Sequence, residues 1–416
     1  MVQHAVKTPR IFYGWFVVIA CFAATSTLGE TMWSFGVFFK PLETEFGWSR
    51  ALVSSAYTAF LFGFAISVIT SGRLADRYSP RPILFVSAVL AGIGVALCSR
   101  IEGIDELRFF LFIGGLGGGA TISVPTSVVQ RWFYGKPHAG LALGIVMAGV
   151  GVGAIVFTPL INYLILHYGW RSAYLIVGCL FFASILFSSL VIRPASRDER
   201  DPLSKRAETT GYRLTEGGLK TREIMRNPSF IGLVFIQSSV ISAFSIIAVH
   251  IVPYATDHGI SPTTAAFALG MLGAFSVPGR MMAGYIADKI GWRKILAVAV
   301  WGMALFILWL FFLRGALVLF CFVFFYGFCH GARVASQLGV LGEFFGMQSL
   351  GEIIGITMAL SQILGAFAPY IAGFIFDVTG SYVVAFALVM AILITSGIIA
   401  LLIRSPIPAK RHKPVS

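Results

Sequence analysis

Long runs of apolar residues, separated by short polar connections, make up most of this chain. Each run holds roughly 20 residues, which is the length of helix that crosses the hydrocarbon core of a bilayer. The pattern therefore predicts an all-α membrane protein with twelve transmembrane helices, which we number as spans 1 to 12. The predicted spans cover residues 12–39, 51–71, 82–99, 108–130, 139–163, 172–192, 229–252, 263–287, 295–313, 316–342, 352–376 and 381–403.

The 31 lysine and arginine residues are divided unevenly between the two ends of the predicted bundle. We call these the odd end, where span 1 connects to span 2, span 3 to span 4 and so on, and the even end, which carries the other connections and both termini. Twenty-three basic residues lie at the even end, six at the odd end, and two, Arg280 and Arg333, inside spans. This asymmetry predicts a multi-pass protein of the cell membrane with both termini cytoplasmic.

The net charge of +13 follows from this topology and does not indicate nucleic-acid binding, which needs a basic patch on one soluble face. The expected partners are membrane lipid and a small solute, and we expect the protein to function as a monomer. No cofactor or metal is expected, because the five cysteines fall in apolar runs without ligand spacing and no phosphate-binding loop is present. Serine, histidine and acidic residues are scattered over different spans without a nucleophile elbow, so we do not expect an enzyme.

One long polar stretch, residues 193–226, interrupts the apolar runs between spans 6 and 7. It contains nine basic and six acidic residues, a composition typical of a cytoplasmic linker that touches anionic headgroups. The predicted organisation is an N-terminal six-helix bundle over residues 1–192, the linker over 193–226, and a C-terminal six-helix bundle over 227–416.

The two sides of the linker repeat one another. Gly72-Arg-Leu-Ala-Asp76-Arg77 recurs 212 positions later as Gly284-Tyr-Ile-Ala-Asp288-Lys289. Further matches at an offset of 211 or 212 are Gly47 with Gly259, Ser49 with Ser261, Gly140 with Gly351, Gly144 with Gly355, Met147 with Met358, and Gly169 with Gly380. A duplicated unit of this size predicts two pseudo-symmetric bundles with a solute site between them at mid-membrane, which is the architecture of many secondary transporters.

Arg280 lies deep within span 8, eight residues or ~12 Å of helix before Asp288. A buried arginine costs at least ~2.5 kcal/mol on insertion scales, so we expect it to face the interior of the bundle. Its fork of donors suits a carboxylate, which makes it the main candidate for substrate binding. The alternative is a structural arginine paired with Asp257 or with helix carbonyls.

A stripe of polar residues predicts that one face of span 1 lines the central cavity: Thr27, Glu30, Thr31 and Ser34 recur at helical spacing. Glu30 is the only ionisable residue within this apolar run, and it is a candidate proton acceptor. The alternative is a carboxyl group that is neutralised by a hydrogen bond or paired with a basic group on another span.

Other polar residues inside spans have two interpretations. Tyr57, Gln237 and Ser361 are candidates for the cavity, although isolated polar residues within spans more often form interhelical hydrogen bonds. His330 and Arg333 form either a second polar centre or, as we favour, pairs with Glu343 and Glu352. We expect His250 to lie at the membrane interface.

The repeated Gly-x-x-Ala-Asp-basic pattern resembles the loop motif of the major facilitator superfamily. We expect Gly72 and Gly284 to let helices approach closely, and Asp76 and Asp288 to accept hydrogen bonds from a facing helix N-terminus or from arginine. Together with Arg77, these residues are predicted to form a latch at the even end that gates the solute site.

Within that superfamily the chain resembles the monocarboxylate transporters and their bacterial relatives, which include oxalate–formate exchangers. The matching segments are Gly14-Trp15 through Val37-Phe38-Phe39-Lys40, Trp132-Phe133, Ala142-Leu-Gly144 with Ala148–Gly153, and Arg280 four residues before Gly284. The resemblance implies that Arg280 holds the substrate carboxylate. Leu28 and Trp33 are expected to limit the remaining volume.

Three positions depart from the pattern of that family. Trp33 stands where the animal transporters have a lysine, Ser276 stands where they have an aspartate, and span 11 lacks the lysine of the oxalate exchangers. Asp257 is a candidate replacement for the aspartate, although an exposed loop carboxylate is the favoured interpretation. Together with Arg280 and Glu30, the resemblance implies proton-coupled symport of lactate- or pyruvate-type monocarboxylates by alternating access. The alternatives are an exchanger of oxalate, formate or aromatic acids, and a transporter-like sensor that moves no solute.

Overall fold

The computed structural model describes residues 12–133, 138–193, 221–345 and 350–406, and in these residues every regular element is a helix. Some helices end where a glycine follows, as Phe35–Phe46 does at Gly47 and Pro262–Ile290 does at Gly291. In span order they are Gly14–Trp33 with Phe35–Phe46, Arg50–Arg77, Pro80–Leu97, Ile104–Gly118 with Ala120–Trp132, Ala139–Val191 (spans 5 and 6), Pro228–Asp257, Pro262–Ile290, Trp292–Ile307, Ala316–Phe345, Leu350–Gly365 with Ala368–Thr379, and Val383–Leu402; the short helix Thr221–Met225 precedes span 7.

The predicted number of twelve spans is confirmed. Ten helices of the described chain are long and apolar enough to cross a membrane. One of them, Ala139–Val191, has 53 residues and contains Gly169, whose φ of 78° and ψ of 161° interrupt the helix, so it forms both span 5 and span 6. Span 1 is counted in addition to these: it begins with the helix Gly14–Trp33, whose stretch Gly14–Leu28 is a shorter apolar helix, and it breaks at Ser34.

Equivalent positions of the sequence repeat have the same local structure. Gly47 and Gly259 both have positive φ, 65° and 78°, just before spans 2 and 8. Ser49 and Ser261 follow them, and each hydroxyl caps its helix by accepting a hydrogen bond from a first-turn backbone N–H, at 3.3 and 3.1 Å. The duplication read from the sequence is thus a duplication of structure, in two six-helix bundles.

The two bundles meet at positions where glycine removes the side chain. A Cβ at Gly36 of span 1 would lie 2.4 Å from the carbonyl oxygen of Ala248 in span 7. A Cβ at Gly151 of span 5 would lie 3.1 Å from the carbonyl oxygen of Gly273 in span 8. Such close approach needs small residues on both helices, and it brings the middle of span 8 against the N-terminal bundle.

Residues 194–220 of the predicted linker lie outside the described residues. The boundaries 192/193 and 226/227 between bundles and linker therefore remain predictions from composition.

Candidate functional site

Arg280 projects from the middle of span 8 and is partly exposed. Its Nε atom is buried and has no hydrogen-bond partner among the described residues, and no carboxylate in that part of the chain forms an ion pair with it. The alternative of an Arg280–Asp257 pair is wrong, because the Asp257 carboxylate contacts Lys40 and Arg50 instead. Arg280 therefore keeps donors available in the interior of the molecule.

Close backbone packing places Arg280 next to span 10. A Cβ at Gly279 would lie 2.0 Å from the carbonyl oxygen of Phe328, and one at Gly331 would lie 1.8 Å from that of Ser276. Two glycines, one on each span, thus allow the helices to touch at the level of Arg280. Ser276, where the resembled family has an aspartate, donates its hydroxyl to the carbonyl oxygen of Gly273 at 2.6 Å and carries no charge to this region.

Arg333 is a second guanidinium in the same interior, and it is only 4% exposed. Its Nη1 donates to the Oε1 of Gln237 in span 7 at 2.6 Å, and its Nε has no partner among the described residues. The predicted pair with Glu343 is not formed, since Glu343 is exposed and no ion pair between described residues joins it to Arg333. The side chain of Glu352 lies outside the described residues. Gln237, a predicted cavity residue, orients this arginine.

Three rings close the region beside the two arginines. Trp33 of span 1 packs edge-on against Phe244 of span 7, with ring centroids 4.6 Å apart. Phe244 in turn stacks on the imidazole of His330 at 5.1 Å, and Trp33 lies 6.4 Å from the same imidazole. Because Trp33 comes from one bundle and the other two rings from the second, this cluster is an apolar wall between the bundles. Leu28, 2% exposed, belongs to the same continuous apolar core.

The hydroxyls of Tyr57 and Ser361 are bonded to backbone carbonyls. Tyr57 donates to the carbonyl oxygen of Met32 at 3.0 Å, next to the break in span 1. Ser361 donates to the carbonyl oxygen of Val234 at 3.3 Å. Both side chains are almost fully buried, so the structure favours interhelical bonding over direct solute contact for these two residues.

The predicted polar face of span 1 is interrupted. The helix ends at Trp33 and restarts at Phe35, and the hydroxyl of Ser34 lies 3.5 Å from that of Thr158 in span 5. The interpretation of one continuous helical stripe facing the cavity is therefore wrong at Ser34, because the helix breaks there and the residue turns to its own bundle. The side chains of Glu30 and Thr31 lie outside the described residues.

A cluster of charged and polar residues joins the two bundles at the odd end. Arg50, at the start of span 2, donates from Nε to Glu43 at 2.9 Å, from Nη2 to Asp257 at 2.6 Å and from Nη1 to the hydroxyl of Tyr382 at 3.0 Å. Lys40 lies 2.7 Å from Asp257. The favoured interpretation of Asp257 as an exposed loop carboxylate is wrong, because two cations of the other bundle hold it.

A carboxylate of span 11 caps span 2 in the same region. Asp377 accepts hydrogen bonds from the backbone N–H groups of Arg50 and Ala51, at 2.9 and 2.8 Å. The N-terminus of a helix carries unpaired N–H groups and a partial positive charge, so an anion there is favourable. We call the six residues Lys40, Glu43, Arg50, Asp257, Asp377 and Tyr382 the odd-end latch.

His250 of span 7 lies beneath the odd-end latch. Its Nδ1 is 2.9 Å from the hydroxyl of Tyr382, and its Nε2 is 2.9 Å from the carbonyl oxygen of Pro369 and 3.3 Å from the hydroxyl of Ser54. The prediction of an interfacial His250 is wrong, since the residue is completely buried. Sequence reasoning missed this connection because its members are distant in the chain.

The even end differs from the odd end in how closely the spans pack. A Cβ added at Gly72 or Gly284 would meet no atom of the described residues within 4 Å, and the same holds at Gly140, Gly144 and Gly355. The expectation that Gly72 and Gly284 allow close helix approach is therefore wrong for this conformation, in which the spans that carry them have no packed neighbour there. Arg77 is exposed, and the side chains of Asp76 and Asp288 lie outside the described residues.

The comparisons with a family model and with known proteins both find similarity to membrane transporters. The family model described as Major Facilitator Superfamily matches residues 14–369 and 282–416. Monocarboxylate transporter 13 of Bos taurus is 27% identical over 403 residues, which cover 95% of this chain and 91% of the relative. Monocarboxylate transporter 4 of Rattus norvegicus is 28% identical over 425 residues, covering 98% and 87%.

Solved structures share the fold at low sequence identity. The crystal structure of a D-xylose–proton symporter has a TM-score of 0.74 and 14% identity, covering 93% of this chain and 97% of the other. The inward-open conformation of the xylose transporter from E. coli has a TM-score of 0.75 and 13% identity, with 96% and 98% covered.

Proposed function

Because the chain belongs to the Major Facilitator Superfamily and is a multi-pass membrane transporter, not an enzyme, we propose that its substrates are small monocarboxylates of the lactate or pyruvate type. The observation that carries the proposal is Arg280, whose buried Nε has no partner among the described residues. A guanidinium held in a low-dielectric interior without a carboxylate is costly, and an incoming anion offsets that cost. The named relatives that transport monocarboxylates support the same substrate class.

We infer that transport is proton-coupled symport by alternating access, in a cell membrane, by a monomer with both termini in the cytoplasm. The contrast between the two ends supports alternating access: the odd-end latch joins the bundles, while the even-end glycines have open space. By the distribution of lysine and arginine the odd end is the outer one. This conformation would then open its solute site to the cytoplasm.

Proton coupling is assigned to Glu30, which stands on span 1 three residues before Trp33. Asp257, the other candidate, is held by Lys40 and Arg50, and we assign it to gating. The predicted even-end latch of Gly72, Asp76, Arg77, Gly284 and Asp288 stays part of the proposal. It would form only when the even end closes.

The test is uptake of labelled lactate by proteoliposomes under an imposed pH gradient. Wild-type protein should accumulate lactate when the side facing the lactate is acidic, and Arg280→Gln should abolish accumulation while the purified protein keeps its elution volume. Glu30→Gln should retain exchange of lactate across the membrane but lose the response to the pH gradient. Wild-type uptake by Arg280→Gln would overturn the assigned site, and counterflow that ignores pH would replace symport by exchange.

A further inference from the structure

Span 10 carries a row of polar side chains on one face. Tyr326, His330, Arg333 and Gln337 follow one another at intervals of four, three and four residues, so they share one side of the helix. None is more than 8% exposed. Each has a buried polar atom without a hydrogen-bond partner among the described residues: the Tyr326 hydroxyl, His330 Nδ1, Arg333 Nε and Gln337 Oε1. We call these four residues the span 10 polar row.

Packing of span 10 against its neighbours does not explain why four polar atoms on one helical face lack hydrogen-bond partners. Leaving one buried donor or acceptor unpaired costs about 1–3 kcal/mol, and a charged group costs more. Native interiors pair nearly all such groups, so each exception requires an explanation. A row of exceptions that includes a guanidinium indicates a surface that completes its hydrogen bonds with a ligand.

The span 10 polar row lies at the depth of Arg280. The two contacts between spans 8 and 10, Ser276 with Gly331 and Gly279 with Phe328, place Arg280 opposite the stretch between Phe328 and Arg333. Gly331 stands between His330 and Arg333 in the chain, so both residues flank this contact with span 8. The two guanidiniums thus come from adjacent helices to one region of the interior.

No described carboxylate compensates the two arginines. The ion pairs of the described chain lie at the odd end or in exposed connections, and neither Arg280 nor Arg333 takes part in them. Gln237 binds Nη1 of Arg333 and so fixes the plane of the guanidinium, while the Nε edge stays unpaired. An arginine fork oriented in this way suits a second oxygen acceptor beside the group that Arg280 binds.

We propose that Arg333 is a second substrate-binding residue, which makes the site of Arg280 prefer short carboxylic acids with a second oxygen acceptor near the carboxylate. The acids of this kind are 2-oxo acids, 2-hydroxy acids and short dicarboxylates, as opposed to plain fatty acids. Arg280 holds the carboxylate, Arg333 holds the second oxygen, and His330, one turn before Arg333, offers its unpaired Nδ1 beside them. The inference rests on the proposed function of Arg280, and it specifies which carboxylates that site accepts.

Four acids of three carbons test the proposal, because they differ only at the second acceptor: propionate has none, lactate a hydroxyl, pyruvate a ketone and malonate a second carboxylate. Their dissociation constants are measured with purified full-length protein by ligand-dependent thermal stabilisation. Wild-type protein should bind lactate, pyruvate or malonate roughly 10- to 100-fold more tightly than propionate, which is the value of one hydrogen bond to a charged group. A gain for lactate and pyruvate would show that Arg333 recognises an acceptor oxygen and would support the proposal, whereas a gain for malonate alone would show that the site recognises a second charge and would overturn it.

Variants separate the two arginines. Arg333→Gln should bind propionate like the wild type, and it should bind the other three acids no more tightly than propionate. Arg280→Gln should lose binding of all four acids. Arg314→Gln, which removes an exposed arginine in the connection between spans 9 and 10, is the matched control and should change nothing. If Arg333→Gln does not fold, Arg333→Lys replaces it, since it keeps the positive charge without the forked guanidinium. This variant should bind pyruvate no more tightly than propionate.

Two results would overturn the assignment of Arg333: equal weakening of all four acids by Arg333→Gln, or equal binding of propionate and pyruvate by the wild type. Retained binding of all four acids by Arg280→Gln would instead overturn the proposed function. The failure of one is therefore distinguishable from the failure of the other.

Discussion

The guanidinium of Arg50 lies 2.6 Å from the carboxylate of Asp257, and this ion pair joins span 2 of one bundle to span 7 of the other. The side chain of Arg50 is only 6% exposed, so the pair is shielded from solvent on the arginine side. The ring of Phe376 covers the same guanidinium at 3.7 Å, which adds a cation–π contact from span 11. One arginine thus ties its own bundle to three spans of the other, counting the hydroxyl of Tyr382 at the start of span 12.

The first prediction concerns this pair. Asp257→Asn should favour separation of the bundles at the odd end, because it leaves Arg50 and Lys40 without their shared partner across the interface. Loss of a charged hydrogen bond corresponds to a shift of roughly tenfold or more in the equilibrium between conformations. Spin labels at positions 102 and 314, both exposed and on opposite bundles at the odd end, should move apart. An unchanged distance distribution would show that the pair does not hold the bundles together.

The matched control is an ion pair inside one bundle. Glu45 accepts hydrogen bonds from Trp170 and Arg171, all at the odd end of the N-terminal bundle. These donors lower the pKa of Glu45, which lies beyond the apolar part of span 1, below its ordinary value of 4.5. The carboxylate is therefore ionised wherever transport is measured, and Glu45→Gln should alter neither the label distance nor the pH dependence of uptake.

The second prediction concerns Tyr382, whose hydroxyl links Arg50 to Nδ1 of His250 at 3.0 and 2.9 Å. Tyr382→Phe keeps the ring and removes both hydrogen bonds, one of them to a charged group. We expect a loss of about 1–3 kcal/mol in the stability of the closed odd end, seen as a larger population with long distances between positions 102 and 314. His250 is left with Pro369 and Ser54, so its position should be retained. A variant indistinguishable from the wild type in that distance distribution would show that the hydroxyl is not part of the closure.

Local signals in the sequence were sufficient for most of the fold. The apolar runs gave the twelve spans, and the matching glycines and serines at 47 and 49 and at 259 and 261 gave the duplication, because each acts within a few residues of itself. The break of span 1 at Ser34 was not predictable, since the carbonyl oxygen of Met32 is satisfied by Tyr57 of the next span. An apolar pattern carries no information about such a partner.

The site was only partly predictable for the same reason. A charge within an apolar run is conspicuous, so Arg280 and Arg333 could be found from the sequence. The partners of Arg50 lie 207 and 332 residues away at Asp257 and Tyr382, and Arg50 itself is at a span boundary where charge is ordinary. The one available signal was that the few basic residues of the odd end accompany acidic residues in spans 1, 7 and 11.

The third prediction concerns Trp33. Its edge-on contact with Phe244 and its proximity to His330 place it on the wall beside the two arginines. Trp33→Ala should admit carboxylates with larger side groups, and it should lower the free energy of unfolding by roughly 3–5 kcal/mol, as truncation of a buried tryptophan does. Trp33→Phe retains an aromatic ring and should cost less. Competition of uptake by a series of 2-oxo acids of increasing length measures the first effect, and an unchanged size limit in Trp33→Ala would remove Trp33 from the wall.

The last prediction follows from the glycines of spans 5 and 8. The two spans touch at Gly151 and Gly273, near the middle of the membrane. Toward the even end the same faces carry Gly144 and Gly284, and a Cβ at either would meet no described atom within 4 Å. Helices that touch at one level and separate at the next have room to close, and glycine on both faces permits backbone contact when they do.

Leucine at position 284 should therefore be harmless in this conformation and obstructive in the closed one. Gly284→Leu should keep thermal stability and binding of pyruvate, yet lose uptake by at least tenfold, because a rocking cycle requires both ends to close in turn. Labels at positions 102 and 314 should show only the short odd-end distance. The control is Gly103→Leu at the odd end, where a Cβ also meets nothing within 4 Å but no closure is expected, and it should transport normally. Uptake by Gly284→Leu at the wild-type rate would mean that spans 5 and 8 do not meet there during the cycle, and the even-end latch would have to be sought elsewhere.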